Sequence, residues 1–391
     1  MSVEVKARAG WSAVAPVAAA SFTLVLSEFI AVAVLPSIAS GLGVTDGDAG
    51  LAVVLPGLVA AIAAPGAVLV AGRLDRRTLL CGLTVLLALS NILAGLAPTF
   101  PVLLIARALL GVAVGAFWTI GVAVGPRLVR PERVATATAL ITAGISAATV
   151  VSLPVGSVLA QHWGWRWALL LAGGLAVVVT GWQALTLPAM PATESAPGWS
   201  ALTSVLRSRR DQAGIAVAAL LFFAHFGAYT FITPYLTGTA HFSPTAVSAL
   251  LLGFGAAGLI GNFAAGAAVG RALAATLGAL ALILAGSISL LIAVADVPLG
   301  VAALVLLWGL SWGGIPLVVQ TYMMGGRAAE GGLALFVSTT QLSLAAGSAV
   351  GGQIVDRWGL GPDYVTFAVP ALIAMVLTAT AIRHYSQAGQ A

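Results

Sequence analysis

The sequence predicts an all-α integral membrane protein of twelve transmembrane helices, arranged as two six-helix bundles around a central cavity. Three observations predict this class. Of 391 residues, 60% are hydrophobic and 7% charged, whereas soluble domains carry about 25% charged residues. Apolar stretches long enough to cross a bilayer recur twelve times, and lysine and arginine fall in alternate connections between them.

The first six spans are expected near 14–39, 48–71, 79–97, 101–126, 134–160 and 166–187. The second six are expected near 212–237, 244–269, 272–294, 297–320, 331–355 and 364–382. Each run supplies about 20 residues, which at about 1.5 Å per residue matches the hydrocarbon core. Glycine, proline or charged residues bound each run. The long polar connection, residues 188–211, holds Pro188, Pro191, Pro197 and the cluster Arg207, Arg209 and Arg210. It divides the chain into bundles 1–187 and 212–391, and its stretch from Trp199 to Arg210 has the pattern of an amphipathic helix lying on the cytoplasmic surface. Lys6 and Arg8 ahead of an apolar run could open a cleaved signal peptide, but that run exceeds a signal core and eleven more follow.

With a cytoplasmic N-terminus, the inner segments hold Lys6, Arg8, Arg73, Arg76, Arg77, Arg127, Arg130, Arg133, Arg207, Arg209, Arg210, Arg271, Arg327 and Arg383, which is 14 of the 17 cations. The outer loops hold only Arg166 and Arg357, and Arg107 lies within a span. One missed span would scramble this alternation, so both termini are expected inside. The same scatter argues against nucleic acid as a partner, despite a net charge of +5, because no face gathers the cations. Cys81 is the single cysteine, so no internal disulfide is possible, and no Cys/His cluster has metal-ligand spacing. No phosphate-binding glycine loop of the Walker type occurs, which disfavours nucleotide drive. Nor is there a nucleophile and base suited to a membrane enzyme. No cofactor is expected beyond an ion gradient.

The halves resemble each other. Gly156, Trp163 and Gly164 recur 195 residues later as Gly351, Trp358 and Gly359, while Gly72-Arg73, Gly111 and Gly115 recur 198 residues later as Gly270-Arg271, Gly309 and Gly313. A repeat of six spans is even, so both copies keep one orientation, related by an axis along the membrane normal.

Gly72-Arg73-Leu74-Asp75-Arg76-Arg77, shortened and without a second glycine, resembles the signature G-x-x-x-D-R-x-G-R-R of the major facilitator superfamily. Arg107 to Gly111, continuing to Gly115, resembles the R-x-x-x-G motif of the fourth span, and Trp163-Gly164-Trp165-Arg166-Trp167 is typical of the superfamily. Ser27-Glu28-Phe29, then Leu35-Pro36 and Ile38-Ala39, looks like the first helix of bacterial drug:proton antiporters of the sugar-efflux and chloramphenicol-exporter type. Gly144, Pro154 and Gly156 resemble the antiporter pattern G-x-x-x-G-P-x-x-G-G, with Leu153 in place of a glycine. The resemblance implies a multi-pass protein of the bacterial cytoplasmic membrane, exchanging protons for a small organic solute by alternating access. Asp75, with Arg76 and Arg77, is implied to latch the cytoplasmic side.

An ionisable side chain costs about 2.5 to 3.5 kcal/mol at a span centre, so each needs a reason. Glu28 is the acid nearest the middle of a span, roughly 15 Å deep, where it can load and release a proton as the cavity faces each side. Its alternative role is to tie the first helix to a neighbour. Arg107 is expected to pair with Glu28, or else to brace carbonyls or snorkel outward. His225 and Tyr229 share a helix face one turn apart. With Trp118, Trp308 and Trp312 they can stack on a solute, or simply pack. Asn262, Gln320 and Gln341 are further polar candidates, although interhelical hydrogen bonding explains them equally well. Gly111 with Gly115 and Gly309 with Gly313 permit close helix contact and sliding. Scarce charge in the spans favours an uncharged or amphipathic solute, and a two-bundle protein can work as a monomer. Proton-coupled uptake, and a sensor or scramblase that transports nothing, remain alternatives.

Overall fold

The computed structural model describes residues 10–44, 46–71, 74–191, 198–326 and 328–382. Lys6, Arg8, Arg73, Arg327 and Arg383, and the Gly72-Arg73 pair of the repeat, lie outside the described residues.

The described residues form helices α1 (Trp11–Ala33), α2 (Leu35–Leu42), α3 (Asp46–Ala71), α4 (Arg76–Gly95), α5 (Phe100–Ile120), α6 (Gly125–Leu128), α7 (Val134–Trp163), α8 (Trp165–Thr186) and α9 (Trp199–Arg207). Then come α10 (Arg209–Tyr229), α11 (Ile232–Pro234), α12 (Pro244–Leu291), α13 (Pro298–Met324), α14 (Ala329–Trp358) and α15 (Leu360–Leu377). Eleven are long and apolar enough to cross a membrane. One of them, α12, runs for 48 residues with a break at Ala272 (φ −152°, ψ 61°). Since about 20 residues suffice for one crossing, α12 supplies two spans, and the total is twelve. The connection expected between residues 269 and 272 is therefore a kink rather than a loop.

Other boundaries also move. The first span divides at Val34 (φ −106°, ψ 6°) into α1 and α2. The fourth stops at Ile120, before the short α6, and the seventh stops at Tyr229, followed by α11 and a π-helical turn at Tyr235–Thr239. The last starts at Leu360 rather than at residue 364. The amphipathic helix expected in the connection forms as α9, with Trp199 exposed and Leu202 and Val205 buried.

Two compact units emerge. The first comprises Met1–Leu202 with Ala328–Ser338, and the second Thr203–Arg327 with Thr339–Ala391. The first ten residues of α14 thus belong with the first unit and the remainder with the second. In the first unit α1 packs on α7 and α8, α3 on α5, and α4 on α5 and α8. In the second, α10 packs on α15, and α12 on α13 and α15. Large apolar side chains such as Ile62, Leu185 and Leu299 stay exposed, as suits surfaces that face hydrocarbon.

The repeat extends to the contacts. A Cβ on Gly111 would lie 2.5 Å from the Pro56 carbonyl oxygen, and one on Gly115 would lie 2.4 Å from that of Ala60. In the second unit the same positions, 198 residues on, meet the carbonyls of Phe254 (2.3 Å from Gly309) and Gly258 (1.8 Å from Gly313). Glycine is the residue that lets these backbones meet, because between apolar helices in lipid the attraction comes from packing. The turns repeat too. Gly164 and Gly359 begin α8 and α15 at φ 88° and φ 86°, a region that favours glycine.

Gly313→Ala is therefore expected to overpack the α12–α13 contact, costing about 1–3 kcal/mol or more and lowering the thermal midpoint in detergent. Gly174→Ala, which meets nothing within 4 Å, serves as the control and should be neutral or slightly stabilising.

Candidate functional site

In the first unit Arg107 meets the main chain of the candidate Glu28. The Arg107 side chain is 1% exposed on α5. Its Nε donates to the Ala52 carbonyl at 2.6 Å, Nη1 to the Ser27 carbonyl at 2.9 Å, and Nη2 to the Glu28 carbonyl at 3.4 Å. The expected pair with Glu28 is thus made to the main chain of that residue. Among the described residues no ion pair joins the guanidinium to the carboxylate, and the half-buried Glu28 carboxyl makes no hydrogen bond. Arg107 is the brace between α1, α3 and α5. Five fixed donors suit this task, because a guanidinium can serve several carbonyls at once.

Ser27 and Asn91 complete the arrangement, and sequence analysis assigned neither a role. Asn91 Nδ2 donates to Ser27 Oγ at 2.9 Å and to the Leu87 carbonyl at 2.9 Å, while Ser27 Oγ donates to the Thr23 carbonyl at 2.7 Å. Both are buried. A serine beside an acid at mid-span, and an asparagine in an otherwise apolar helix, were the signals available.

In the second unit His225 stands at the centre of a ring cluster. It is 1% exposed, and its Nδ1 accepts a hydrogen bond from Trp308 Nε1 at 3.0 Å. This bond places the ring proton on Nε2 in the neutral imidazole. The Trp312 ring stacks on His225 at 3.5 Å and 5°, and Tyr229 stacks at 5.0 Å and 16°. Phe222 and Phe226 meet Trp312 edge-on at 4.8 Å and 5.5 Å, and Phe254 faces Tyr229 at 4.8 Å. Four of the expected residues therefore meet, namely His225, Tyr229, Trp308 and Trp312. Trp118 lies instead in the first unit, edge-on to Phe117 at 5.6 Å. Asn262 is buried in α12, and Gln341 is half-buried in α14, where it makes no hydrogen bond among the described residues. Gln320 is buried in α13 with Oε1 unpartnered.

The residues assigned to gating divide by role. Asp75 caps its own helix, Oδ1 accepting from the Arg77 and Thr78 amides at 2.9 and 3.2 Å, while Oδ2 accepts from the Met190 amide at 2.7 Å. Its carboxylate thus orders the start of α4, a strong N-cap. Arg76, 2% exposed, reaches farther and forms an ion pair with Glu330 in the first turn of α14. Glu330 was absent from the expected site. Arg77 donates to the Ala184 carbonyl. Gly111 and Gly115 seat α5 on α3, as described above, and Gly156 seats α7 on Ile30 and Ala33 of α1. Pro154 lies exposed within the continuous α7.

With this geometry in view, residues 17–330 match the sequence model of the Major Facilitator Superfamily. The chain belongs to that superfamily. Pseudomonas aeruginosa OpdE, described as a transcription regulatory protein, is 36% identical over 384 residues, covering 97% of this chain and 96% of its own length. The purine ribonucleoside efflux pump NepI of Escherichia coli O6:K15:H31 is 31% identical over 375 residues, covering 95% of this chain and 94% of its own. Among solved structures, the human organic anion transporter MFSD10 superposes with a TM-score of 0.76 at 16% identity, over 93% of this chain and 99% of that one. The Escherichia coli fucose:proton symporter FucP superposes with a TM-score of 0.74 at 15% identity, over 94% and 98%. At those identities the structural likeness concerns the fold, and the sequence relatives carry the family assignment. This superfamily transporter is a multi-pass membrane protein.

Arg107→Lys keeps the charge but cannot span three carbonyls with one ammonium. It is expected to leave at least one buried carbonyl unpaired, costing about 1–3 kcal/mol, and to lower the yield and thermal midpoint of the purified protein.

Proposed function

We propose that this transporter exports a small, uncharged or amphipathic organic solute across the bacterial cytoplasmic membrane in exchange for protons, by alternating access. The observation that carries the reading is Glu28. Its carboxyl lies mid-span, half-buried and without a hydrogen bond among the described residues, next to a main chain clamped by Arg107. A carboxyl with no fixed partner can gain and lose a proton as access alternates, which is what antiport requires. Arg107 sets the local field and holds α1 in place without consuming the acid in an ion pair.

The ring cluster supports the substrate class. Half-buried Tyr229 and Trp312 present aromatic surface beside a fixed imidazole, chemistry that suits a planar or amphipathic solute. NepI, named a purine ribonucleoside efflux pump, is 31% identical across nearly the whole chain, which agrees in direction and in solute type. The regulatory name of OpdE at 36% identity favours a second reading, a sensor that transports nothing. Failure of the purified protein to move any solute from a panel that includes purine ribonucleosides would decide for it.

In proteoliposomes Glu28→Gln is expected to abolish efflux driven by a pH gradient, while solute–solute exchange without a gradient persists. Full gradient-driven transport by this variant would remove Glu28 from the mechanism. The latch rests on Arg76 and Glu330, with Asp75 organising the helix start. Glu330→Gln should therefore shift the accessibility of single-cysteine reporters on the cytoplasmic side more than Asp75→Asn does, since asparagine still caps a helix well.

A further inference from the structure

Asp363 lies in the first turn of α15, beside the turn that ends α14. It is 0% exposed, and among the described residues neither carboxyl oxygen has a hydrogen-bond partner. Its Oδ1 comes within 3.1 Å of where a Cβ on Gly351 of α14 would sit, a point only 2.8 Å from both the Gly227 carbonyl of α10 and the Phe231 ring. The carboxyl is thus wedged where α10, α14 and α15 converge, and Gly351 leaves it the room. Beside it the Tyr364 hydroxyl is also buried without a partner. The Tyr364 ring packs on Tyr235 at 5.0 Å and on Trp308 at 6.4 Å, and Trp308 in turn donates to His225. Among the described residues, the titratable side chains around Asp363 are Tyr364 and Tyr235, whose hydroxyl donates to the Leu291 carbonyl and which Asp296 faces, with His225 behind Trp308. Arg357, at the end of α14, is exposed and forms no ion pair with Asp363.

A charged carboxylate in such packing would have neither counter-ion nor donor among the described residues, a state that proteins avoid. A carboxylic acid that carries its proton fits the space, and charge becomes tolerable once the three helices part and water enters. For holding this packing together asparagine or leucine would serve as well, so the acid points to a task in a second conformation.

We propose that Asp363 is a second proton-binding site of the transporter, separate from Glu28, loaded while α10, α14 and α15 are packed together and emptied when they separate. The distribution of loop cations places this site toward the non-cytoplasmic side. Proton release would then be tied to opening of the second unit at that end. The ligand is a proton rather than a metal ion, because a hard cation needs several oxygen ligands and this pocket offers one carboxyl.

Infrared difference spectroscopy on the purified full-length transporter tests the proposal directly. A protonated carboxyl without hydrogen bonds gives a high-frequency C=O band. At acidic pH this band should be present in Glu28→Gln, where the other unpartnered acid is removed, and absent in the double variant Glu28→Gln/Asp363→Asn. Raising the pH should remove the band. In a Cys81→Ser background, labelling of a single cysteine placed at Gly361 by an impermeant maleimide should rise in step, by up to about tenfold per pH unit. Asp363→Asn should label at a rate independent of this transition. Absence of the band in Glu28→Gln, its survival in Glu28→Gln/Asp363→Asn, or a labelling rise that persists in Asp363→Asn would each overturn the proposal. So would a response to sodium instead of pH. Should Asp363→Asn fail to fold, Asp363→Glu must move both the band and the midpoint of labelling, and an unmoved band would count equally against it. A band that depends on Glu28 and ignores Asp363 would leave the antiport reading standing and remove only the second site.

Discussion

A guanidinium cannot shed its charge, and in a helix bundle surrounded by lipid it has no water to turn to. The structure resolves this by giving Arg107 three main-chain carbonyls, one on α3 and two on α1. Helix carbonyls are normally committed to their own i+4 amides, so a second hydrogen bond there uses a lone pair that lipid could never satisfy. The brace fixes α5 against both neighbours and leaves Glu28 positioned but uncommitted. Ser27, which accepts from Asn91 through its hydroxyl while its carbonyl serves Arg107, ties α4 into the same knot. Everything proposed for proton exchange in the first unit depends on this arrangement.

The second unit uses aromatic packing where the first uses charge. His225 is held by a hydrogen bond from Trp308 and a stacked Trp312, so its imidazole is oriented with one nitrogen already used. The asymmetry between units is laid over a common scaffold, because the glycine-to-carbonyl approaches of α5 on α3 recur in α13 on α12 at the same spacing. The helix contacts recur while the side chains at the centre differ.

Much of the fold was legible in the sequence because bilayer thickness imposes span length, and loop charge imposes parity. The α12 kink was not, since a short break between two apolar runs looks like a loop until the backbone is seen to continue through Ala272. Within the site, the meeting of His225 with Tyr229 follows from i, i+4 spacing, which also sets Trp308 and Trp312 on one face of α13, but the meeting of His225 with both tryptophans is a tertiary fact. Arg107 was expected at a carboxylate because side chains are visible in a sequence and carbonyls are not. Asp363 escaped notice through an error of a few residues: a helix expected to start at 364 begins at Leu360, which turns a loop acid into a buried one. Glu330 was overlooked for the opposite reason, since an acid in a polar connection carries no signal until Arg76 is seen to reach it.

The glycine contacts also bear on how the chain is made. The partners α3 and α5 are separated by α4, and the first part of α12 is separated from α13 by the rest of α12. During synthesis each earlier helix is therefore complete before the one that fits it exists. It must reside in lipid with the backbone surface that the later helix's glycines will meet still uncovered, and its capacity to wait there rests on intrahelical hydrogen bonds that ask nothing of the surroundings.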